Sequence, residues 1–329
     1  MISRRQALLA GAAAALLPGR VRAAAPPVVR VGVLPFGTVS WEAETIRRSG
    51  LDEAAGYRLD PVWLATNDAA RIAFLGGQVD MIVSDLLLAA RLRNEGQKVR
   101  FVPYSTTEGA VMVPADSPIR EVGDLAGKRI GVAGGALDKN WLLLKAHARE
   151  RAGIDLATAA APAYGAPPLI ANKLESGELD AALLYWNFCA RLEARGYRRL
   201  VGAGDIARAF GLKGEIALIG YMFDEALAAR GPALVEGFVS SSRAAKRLLA
   251  ESEAAWEPIR PLMEAEDEAT FQTLRRYFVE GMPQRPVADE RQDAETLFAI
   301  LARLGGERLV GPGTGLPPGL YWGDPRDPA

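Results

Sequence analysis

Gly77-Gln78-Val79-Asp80-Met81-Ile82-Val83 is followed 100 residues later by Gly177-Glu178-Leu179-Asp180-Ala181-Ala182-Leu183. In each copy the glycine can end a helix in the left-handed conformation, and the aspartate can accept backbone hydrogen bonds where the chain enters a buried strand. A second pair of segments, Arg30-Val31-Gly32-Val33 and Arg129-Ile130-Gly131-Val132, repeats at a distance of 99 residues. We infer that the chain contains two similar units, each opening with a strand and carrying this helix–turn–strand segment later on.

Strands and helices alternate through each unit. In the first unit, the sequence predicts strands at 28–34, 57–64, 81–83, 99–103 and 109–113, and helices at 40–49, 69–75 and 86–95. This spacing indicates a parallel sheet covered by helices. After the second unit, it predicts a strand at 215–222 and helices at 232–251, 253–263, 267–278 and 288–304. The predicted fold class is therefore α/β, with two Rossmann-like lobes, a ligand cleft between them and a helical C-terminal region.

The first 23 residues have the pattern of a cleaved signal peptide. A basic start with Arg4 and Arg5 precedes an apolar run from Ala7 to Leu17, too short to span a bilayer, and small residues follow at Ala23 and Ala25. Ser3-Arg4-Arg5 also resembles a twin-arginine motif, but Ala7 stands where phenylalanine is usual, so both export routes stay open. No cysteine lies near the cleavage site, so no lipid anchor is expected. The mature protein is predicted to be periplasmic.

Charge and cysteine content exclude several classes of function. The chain has 39 basic and 40 acidic residues, and removal of the four arginines within residues 1–23 changes the net charge from −1 to −5. Nucleic acid is not an expected partner, because no basic excess remains to neutralise phosphates. The single cysteine, Cys189, cannot form an internal disulfide and is predicted to be buried. The single histidine, His147, is predicted to face solvent, so neither a metal nor another cofactor is expected.

Several motifs together resemble one family. They are the turn Leu75–Asp80, the apolar segment Gly109–Val113 and the run Ser117–Val132, which contains Asp124-Leu125-Ala126-Gly127-Lys128. With the signal peptide, they resemble the nitrate/sulfonate/taurine-type periplasmic solute-binding proteins of ABC importers over about residues 28–265. The resemblance implies a type II periplasmic binding protein fold, in which two lobes joined by two crossing segments enclose the ligand. Here the crossings are expected near 109–116 and 208–220.

The resemblance and the repeat together divide the chain into five parts. These are the signal peptide (1–23), the first part of lobe I (24–112), lobe II (113–212), the return to lobe I with the C-terminal helices (213–310), and a Pro/Gly-rich tail (311–329) expected on the surface. The resemblance implies a small-molecule ligand and, as partners, the permease and ATPase of the importer. The mature protein is expected to be a monomer.

Candidate ligand residues follow the strand ends of each lobe, because ligands of open α/β sheets bind beyond the carboxyl ends of the strands. In lobe I, Thr38 and Trp41 follow the first strand, Thr66 and Asn67 follow the second, and Asp85 follows the third. Thr66 or Asn67 can equally cap a helix. Asp85 can cap the next helix or meet a cationic group of a ligand.

The equivalent loop of lobe II contains Gly135, Asp138, Lys139 and Trp141. Gly135 lets the backbone approach a ligand closely, Asp138 can cap a helix, and Lys139 can pair with an anionic group or stay solvated. Trp41 and Trp141 stand at matching places in the repeat, and at least one of them is predicted to line the cleft. The end of the later strand adds Tyr185, Trp186 and Asn187.

These candidates form an aromatic wall with polar groups of both signs, which suits a small organic ligand. A further set near the first crossing consists of Tyr104, Thr106 and Glu108. Sulfonates, zwitterions and heterocycles all fit such a wall. Asp85 and Asp138 near the site favour a zwitterion or a neutral heterocycle over a bare anion, because like charges repel.

Two functions other than transport are compatible with a two-lobed fold of this kind. The same fold family includes a thiamine-pyrimidine synthase, which depends on histidine and a cysteine-rich segment. This chain has one histidine and one cysteine and no GxSxG, P-loop or GxGxxG motif, so it is not expected to be an enzyme. The alternative that stays open is a non-transport periplasmic ligand sensor, or an accessory protein for a secreted redox enzyme, because either would use the same cleft.

Overall fold

The computed structural model describes residues 25–35 and 37–326, so the predicted signal peptide lies outside the described residues. In this part of the chain, two five-stranded sheets form the centres of two lobes. The strands of sheet A are β1 (Val28–Val33), β2 (Arg58–Trp63), β3 (Met81–Asp85), β4 (Val99–Ser105) and β10 (Ile219–Asp224). Those of sheet B are β5 (Gly109–Val113), β6 (Arg129–Ala133), β7 (Ala161–Gly165), β8 (Ala181–Tyr185) and β9 (Arg198–Gly202).

Helices pack against both sheets. In lobe I they are α1 (Val39–Arg48), α2 (Leu51–Ala54), α3 (Asn67–Leu75) and α4 (Leu86–Asn94), and in lobe II α5 (Lys139–Ala152), α6 (Leu156–Ala159), α7 (Pro167–Glu175), α8 (Trp186–Ala194) and α9 (Ala203–Ala209). The C-terminal region contains α10 (Glu225–Ala229), α11 (Pro232–Glu251), α12 (Arg260–Met263), α13 (Glu268–Glu280), α14 (Val287–Gly305) and α15 (Glu307–Val310). Among the described helices, none has both the length and the apolarity to cross a bilayer. The predicted two-lobed α/β fold is confirmed.

The two sheets have the same strand order. Sheet A runs β2-β1-β3-β10-β4, and sheet B runs β7-β6-β8-β5-β9. In each sheet the first three strands pair in parallel, and the fourth is antiparallel to both of its neighbours. The sequence repeat therefore corresponds to a repeated sheet.

The repeated aspartate anchors the first strand of each lobe. The Asp80 carboxylate accepts the backbone N–H of Arg30 at 2.8 Å and pairs with the Arg30 guanidinium at 2.8 Å. Asp180 accepts the backbone N–H of Arg129 at 2.8 Å and pairs with its guanidinium at 2.7 Å. The two repeated segments of the sequence thus supply the two partners of one structural contact, which forms once in each lobe.

The first crossing between the lobes lies between β4 and β5, at residues 106–108. Strand β5 pairs with β8 and β9, so it belongs to lobe II, although the sequence assigned residues 109–112 to lobe I and expected the crossing near 109–116. The local pattern of β5 carries no sign of its pairing partners, which lie 70 or more residues away. Gly109 permits this pairing, because a Cβ atom there would overlap the carbonyl oxygen of Leu184.

The second crossing, residues 203–218, contains α9 and a loop that is held by α14. The Asp293 carboxylate accepts the backbone N–H groups of Lys213 and Gly214, each at 3.1 Å. The Glu290 carboxylate accepts the backbone N–H of Ala217 at 2.7 Å. Because these amides bond to α14 instead of to a neighbouring strand, β10 begins at residue 219, later than the predicted 215.

Glu290 is expected to make the stability of the protein depend on pH. It is buried, and burial raises the pKa of its carboxyl to about 7, although the Ala217 N–H and Arg285 favour the charged form. The unfolded chain ionises this carboxyl near pH 4.5, so between there and pH 7 unfolding releases a proton and stability falls as pH rises. Glu290→Gln keeps an acceptor for Ala217. Relative to wild type, the free energy of unfolding of this variant should rise by about 3 kcal/mol as the pH increases from 4 to 8.

Urea unfolding of both proteins at several pH values measures this gain. The comparison with the glutamine variant removes the contributions of all other titrating groups. If the difference in the free energy of unfolding between the two proteins stays constant from pH 4 to pH 8, the pKa of Glu290 is not raised.

The C-terminal segment is not a surface tail. Leu320 and Tyr321 are completely buried, and the segment extends the outer edge of sheet A by a parallel bridge. Phe101 donates its backbone N–H to the Leu320 carbonyl at 2.7 Å, and Trp322 donates to the Phe101 carbonyl at 2.9 Å. The expectation that residues 311–329 lie on the surface is therefore wrong for residues 320–321, because this apolar pair fills the space beside β4.

Candidate ligand-binding cleft

A cavity of about 430 Å³ lies between the lobes, beyond the carboxyl ends of β1, β3, β4 and β8. Lobe I lines it with the loop after β1, the first turns of α3 and α4, and the end of β4. Lobe II lines it with the loop before α5 and the first turn of α8. The cavity is large enough for a small organic molecule.

Eight of the twelve predicted ligand residues line this cavity: Thr38, Asn67, Asp85, Asp138, Lys139, Tyr185, Trp186 and Asn187. The other four, Trp41, Thr66, Gly135 and Trp141, do not reach it. The repeat thus brings the strand ends of both lobes to one cavity. Contact of the eight residues with a ligand stays a prediction.

Trp41 and Trp141 are core residues. Trp41 donates its Nε1–H to the Leu262 carbonyl at 3.1 Å and packs against Trp256 with the ring centroids 6.4 Å apart. Trp141 is completely buried in lobe II. Both tryptophans are the third residue of their helix, α1 or α5, and the helical turn directs this position into the lobe. The prediction that at least one of them lines the cleft is therefore wrong.

Thr66 and Gly135 also have structural places outside the cavity. The Thr66 hydroxyl oxygen accepts the N–H of Ala69 at 3.1 Å, which is the capping alternative. Gly135 is exposed, and its neighbour Gly134 has a φ of +104°, a conformation that favours glycine. A Cβ atom on Gly134 would lie 3.4 Å from a carboxylate oxygen of Asp138, so Gly134 is the glycine that shapes this loop.

Trp186 forms the aromatic wall of the cavity. Its ring packs edge-on against Trp41, with centroids 6.0 Å apart, and lies nearly parallel to Tyr277 at 6.4 Å. Trp41 therefore supports the wall from behind. On the lobe I side, the hydroxyl groups of Thr38 and Tyr104 lie 3.3 Å apart, and both residues line the cavity.

Lys139 is held by a carboxylate of the first crossing. Its Nζ lies 3.0 Å from Glu108 Oε2, and both side chains are largely buried. Burial disfavours the ammonium, but Glu108, Asp85 and Asp138 together outweigh burial and raise its pKa. Lys139 is therefore a charged residue that is already paired within the protein. Glu108 belongs to the secondary set that the sequence suggested.

Asp85 and Asp138 cap helices at the edge of the cavity. Asp85 accepts the N–H of Leu88 at 3.0 Å. Asp138 accepts the N–H groups of Asn140 and Trp141 at 2.9 and 3.1 Å, and burial raises the pKa of its carboxyl. The capping alternative holds for both aspartates. Both also line the cavity, so the two roles are compatible.

The lining is acidic. In the described residues it contains the carboxylates of Asp68, Asp85, Glu108 and Asp138 and the bases Arg71 and Lys139. Asp68 pairs with Arg71 at 3.1 Å on the lobe I side. Since Lys139 pairs with Glu108, the charges of Asp85 and Asp138 are left without an ion pair among the described residues.

Several lining residues are not among the predicted ligand residues, such as Asp68, Arg71 and Asn140. Asp68 follows Asn67 directly, and Arg71 lies one helical turn further along α3. Helical spacing from Asn67 would have pointed to Arg71. Asn140 follows Lys139 on α5, and nothing in its surroundings in the sequence marks it as a cleft residue.

Residues 48–204 match the family described as "ABC transporter, phosphonate, periplasmic substrate-binding protein". This region, just under half of the chain, is similar to the periplasmic substrate-binding proteins of ABC transporters. It contains the whole of sheet B and strands β2 to β4 of sheet A, so the predicted resemblance to solute-binding proteins of ABC importers is confirmed. No curated protein sequence matches the chain significantly.

Solved structures of substrate-binding proteins have the same fold. The periplasmic aliphatic sulphonate binding protein SsuA from Escherichia coli is 18% identical, with a TM-score of 0.65 over 88% of this chain and 96% of that one. The alkanesulfonate-binding protein SsuA from Xanthomonas axonopodis pv. citri, bound to MOPS, is 18% identical, with a TM-score of 0.63 over 91% and 99%. The desulfurization enzyme DSZB is 17% identical, with a TM-score of 0.59 over 88% and 97%, so the fold also serves catalysis.

Proposed function

We propose that the mature chain is the periplasmic substrate-binding component of an ABC importer, and that its lobes close on a small organic ligand. The observation that carries this proposal is the cavity between the carboxyl ends of the two sheets, in a chain whose residues 48–204 match that family. The proposal includes export by the signal peptide, a monomeric state, and delivery of the ligand to a permease and its ATPase.

The eight predicted residues that line the cavity are the proposed ligand contacts. Trp186 and Tyr185 supply apolar area, and Thr38, Asn67 and Asn187 supply hydrogen-bonding groups. A few polar groups on an aromatic wall are the usual composition of a small-molecule site.

Binding without catalysis is part of the same proposal. Among the described residues, neither Cys189 nor His147 lines the cavity. Cys189 is buried as predicted, and burial raises the pKa of its thiol to about 12. His147 lies on α5, half-buried beside Phe210. A cysteine or histidine nucleophile or base is therefore missing from the described lining, and no group of three or more His, Cys, Asp or Glu residues there could hold a metal ion.

A thermal-shift screen of the mature protein tests the proposed function. The panel contains alkanesulfonates, alkylphosphonates, taurine, amino acids, polyamines and pyrimidines. A ligand that binds only the folded state should add about 2.7 kcal/mol of stability at 100 times its Kd. A panel in which no compound raises the Tm would contradict binding of a small organic ligand.

Trp186→Phe is expected to weaken binding of any ligand found in this screen by about tenfold, because the ligand loses aromatic contact area. The same variant should lose most of the ligand-induced change in tryptophan emission. Fluorescence titration measures both effects. The control is Trp63→Phe, because Trp63 is 54% exposed and lies outside the cavity. If Trp186→Phe behaves like this control, Trp186 is not part of the binding wall.

A further inference from the structure

We propose that the lobe II end of the cleft is a subsite for a primary ammonium group, and that the ligand of this protein carries one. The inference rests on the proposed function and adds the chemical class of the ligand. The subsite is formed by Glu108, Asn140, Asp138 and Asp85, which all line the cavity.

Two buried acceptors of this subsite lack donors. Glu108 Oε1 and Asn140 Oδ1 have no hydrogen-bond partner within the described part of the chain. The Glu108 side chain is 9% exposed and Asn140 is 4% exposed. Asn140 Nδ2 donates to Glu108 Oε2 at 3.4 Å, so the two side chains form one unit with two oxygens left over. A buried acceptor without a donor is unfavourable, so this unit favours a ligand group that donates hydrogen bonds.

The charge at this end favours a cationic donor. Asp85, Glu108 and Asp138 line this end of the cavity together with Lys139, so three carboxyl groups share one ammonium. The Tyr185 hydroxyl lies in the field of the same four groups, beside the cavity. A second ammonium here would reduce the excess of negative charge, whereas a sulfonate or phosphonate would increase it. An ammonium also has three donors for the free oxygens.

The helix ends around the cavity are consistent with this polarity. Asp85 and Asp138 occupy the N-termini of α4 and α5 with carboxylates, which removes two places where an anion would bind. The N-termini of α1 and α8, at Thr38 and Tyr185, have no side-chain cap. A ligand with both an ammonium and an anionic group can therefore place the two groups against different parts of the lining.

Matched pairs of probes test the inference by isothermal titration calorimetry on the mature protein. Taurine is compared with propane-1-sulfonate, and 2-aminoethylphosphonate with propylphosphonate, so that only an ammonium is exchanged for a methyl group. The ammonium member should bind at least tenfold more tightly, because it donates charge-assisted hydrogen bonds to the free oxygens, whereas the methyl group donates none.

Equal or tighter binding of the methyl members would overturn the inference and leave the proposed function intact. If none of the four compounds binds, the inference is also overturned, and the thermal-shift screen decides the proposed function separately.

Two variants connect the preference to these residues. Glu108→Gln and Asp138→Asn should each reduce the preference for the ammonium member to less than threefold. Asparagine also caps helices, so Asp138→Asn is expected to fold, and its Tm without ligand checks this. The control is Asp155→Asn, the same change at the N-cap of α6 outside the cavity, which should keep the tenfold preference. Folded Glu108→Gln and Asp138→Asn proteins that both keep the preference would overturn the assignment.

Discussion

Lys246→Met is expected to lower the free energy of unfolding by about 3–5 kcal/mol, because it leaves a buried carboxylate without its counter-charge. Lys246 Nζ pairs with the carboxylate of Glu42 inside lobe I, and the Glu42 side chain is completely buried. Within the described residues, the other hydrogen-bond partner of that carboxylate is the Tyr221 hydroxyl, which donates to Glu42 Oε1 at 2.9 Å. One neutral hydrogen bond does not compensate a charge in this environment.

The control for this prediction is the double variant Glu42→Gln/Lys246→Met. It removes both charges and keeps an acceptor for Tyr221, so it should recover most of the lost stability. Lys173→Met, which breaks an exposed pair with Glu178, should change stability by less than about 1 kcal/mol. Urea unfolding at pH 7 measures all three variants. A double variant as unstable as Lys246→Met would show that lost packing, and not an unpaired charge, causes the effect.

This buried pair also bears on the cleft. The Lys246 ammonium lies over the ring of Tyr104, 4.4 Å from its centroid, and Tyr104 lines the cavity on the lobe I side. From the sequence, Glu42 is an acid in the first turn of a helix, where acids suit the helix dipole. Its partner is 204 residues away on α11, so no local pattern predicts that both side chains are buried.

The fold could be predicted from the sequence where local patterns determine it. The helix predicted at 232–251 has these bounds in the structure, because Pro232 begins it and its apolar face has helical periodicity. The two crossings lie at other residues than the sequence predicts, because their limits depend on pairing between distant segments. The helix predicted at 253–263 is instead two short 3₁₀ turns followed by α12, a region with prolines at 258 and 261.

In the candidate site too, some features follow from the local sequence, and others depend on contacts between distant segments. Residues directly after strand ends, such as Asp85 and Tyr185, reach the cavity because topology alone places them there. The Lys139–Glu108 pair joins lobe II to the first crossing, so its existence depends on how the lobes face each other. The matching places of Trp41 and Trp141 in the repeat do not bring them to the cleft, because helical phase decides which way each side chain points.

Tyr321→Ala is expected to lower the free energy of unfolding by about 3–5 kcal/mol, the usual cost of removing a buried aromatic ring. Tyr321 is completely buried, and its ring meets Phe101 edge-on with centroids 5.7 Å apart. The segment around it closes the edge of sheet A, and Asp324, also buried, pairs with Arg291 of α14 at 3.0 Å. Because α14 also holds the second crossing, we expect loss of the ring to weaken the support of that crossing as well.

The matched variant for this prediction is Tyr321→Phe. The Tyr321 hydroxyl is buried and has no hydrogen-bond partner among the described residues, so its removal should change stability by less than about 1 kcal/mol and can be stabilising. Chemical unfolding of both variants separates the contribution of the ring from that of the hydroxyl. If the C-terminal segment only lay on the surface, both variants would lose little stability. A decrease in the free energy of unfolding of less than about 1 kcal/mol in Tyr321→Ala would contradict the place of Tyr321 in the core.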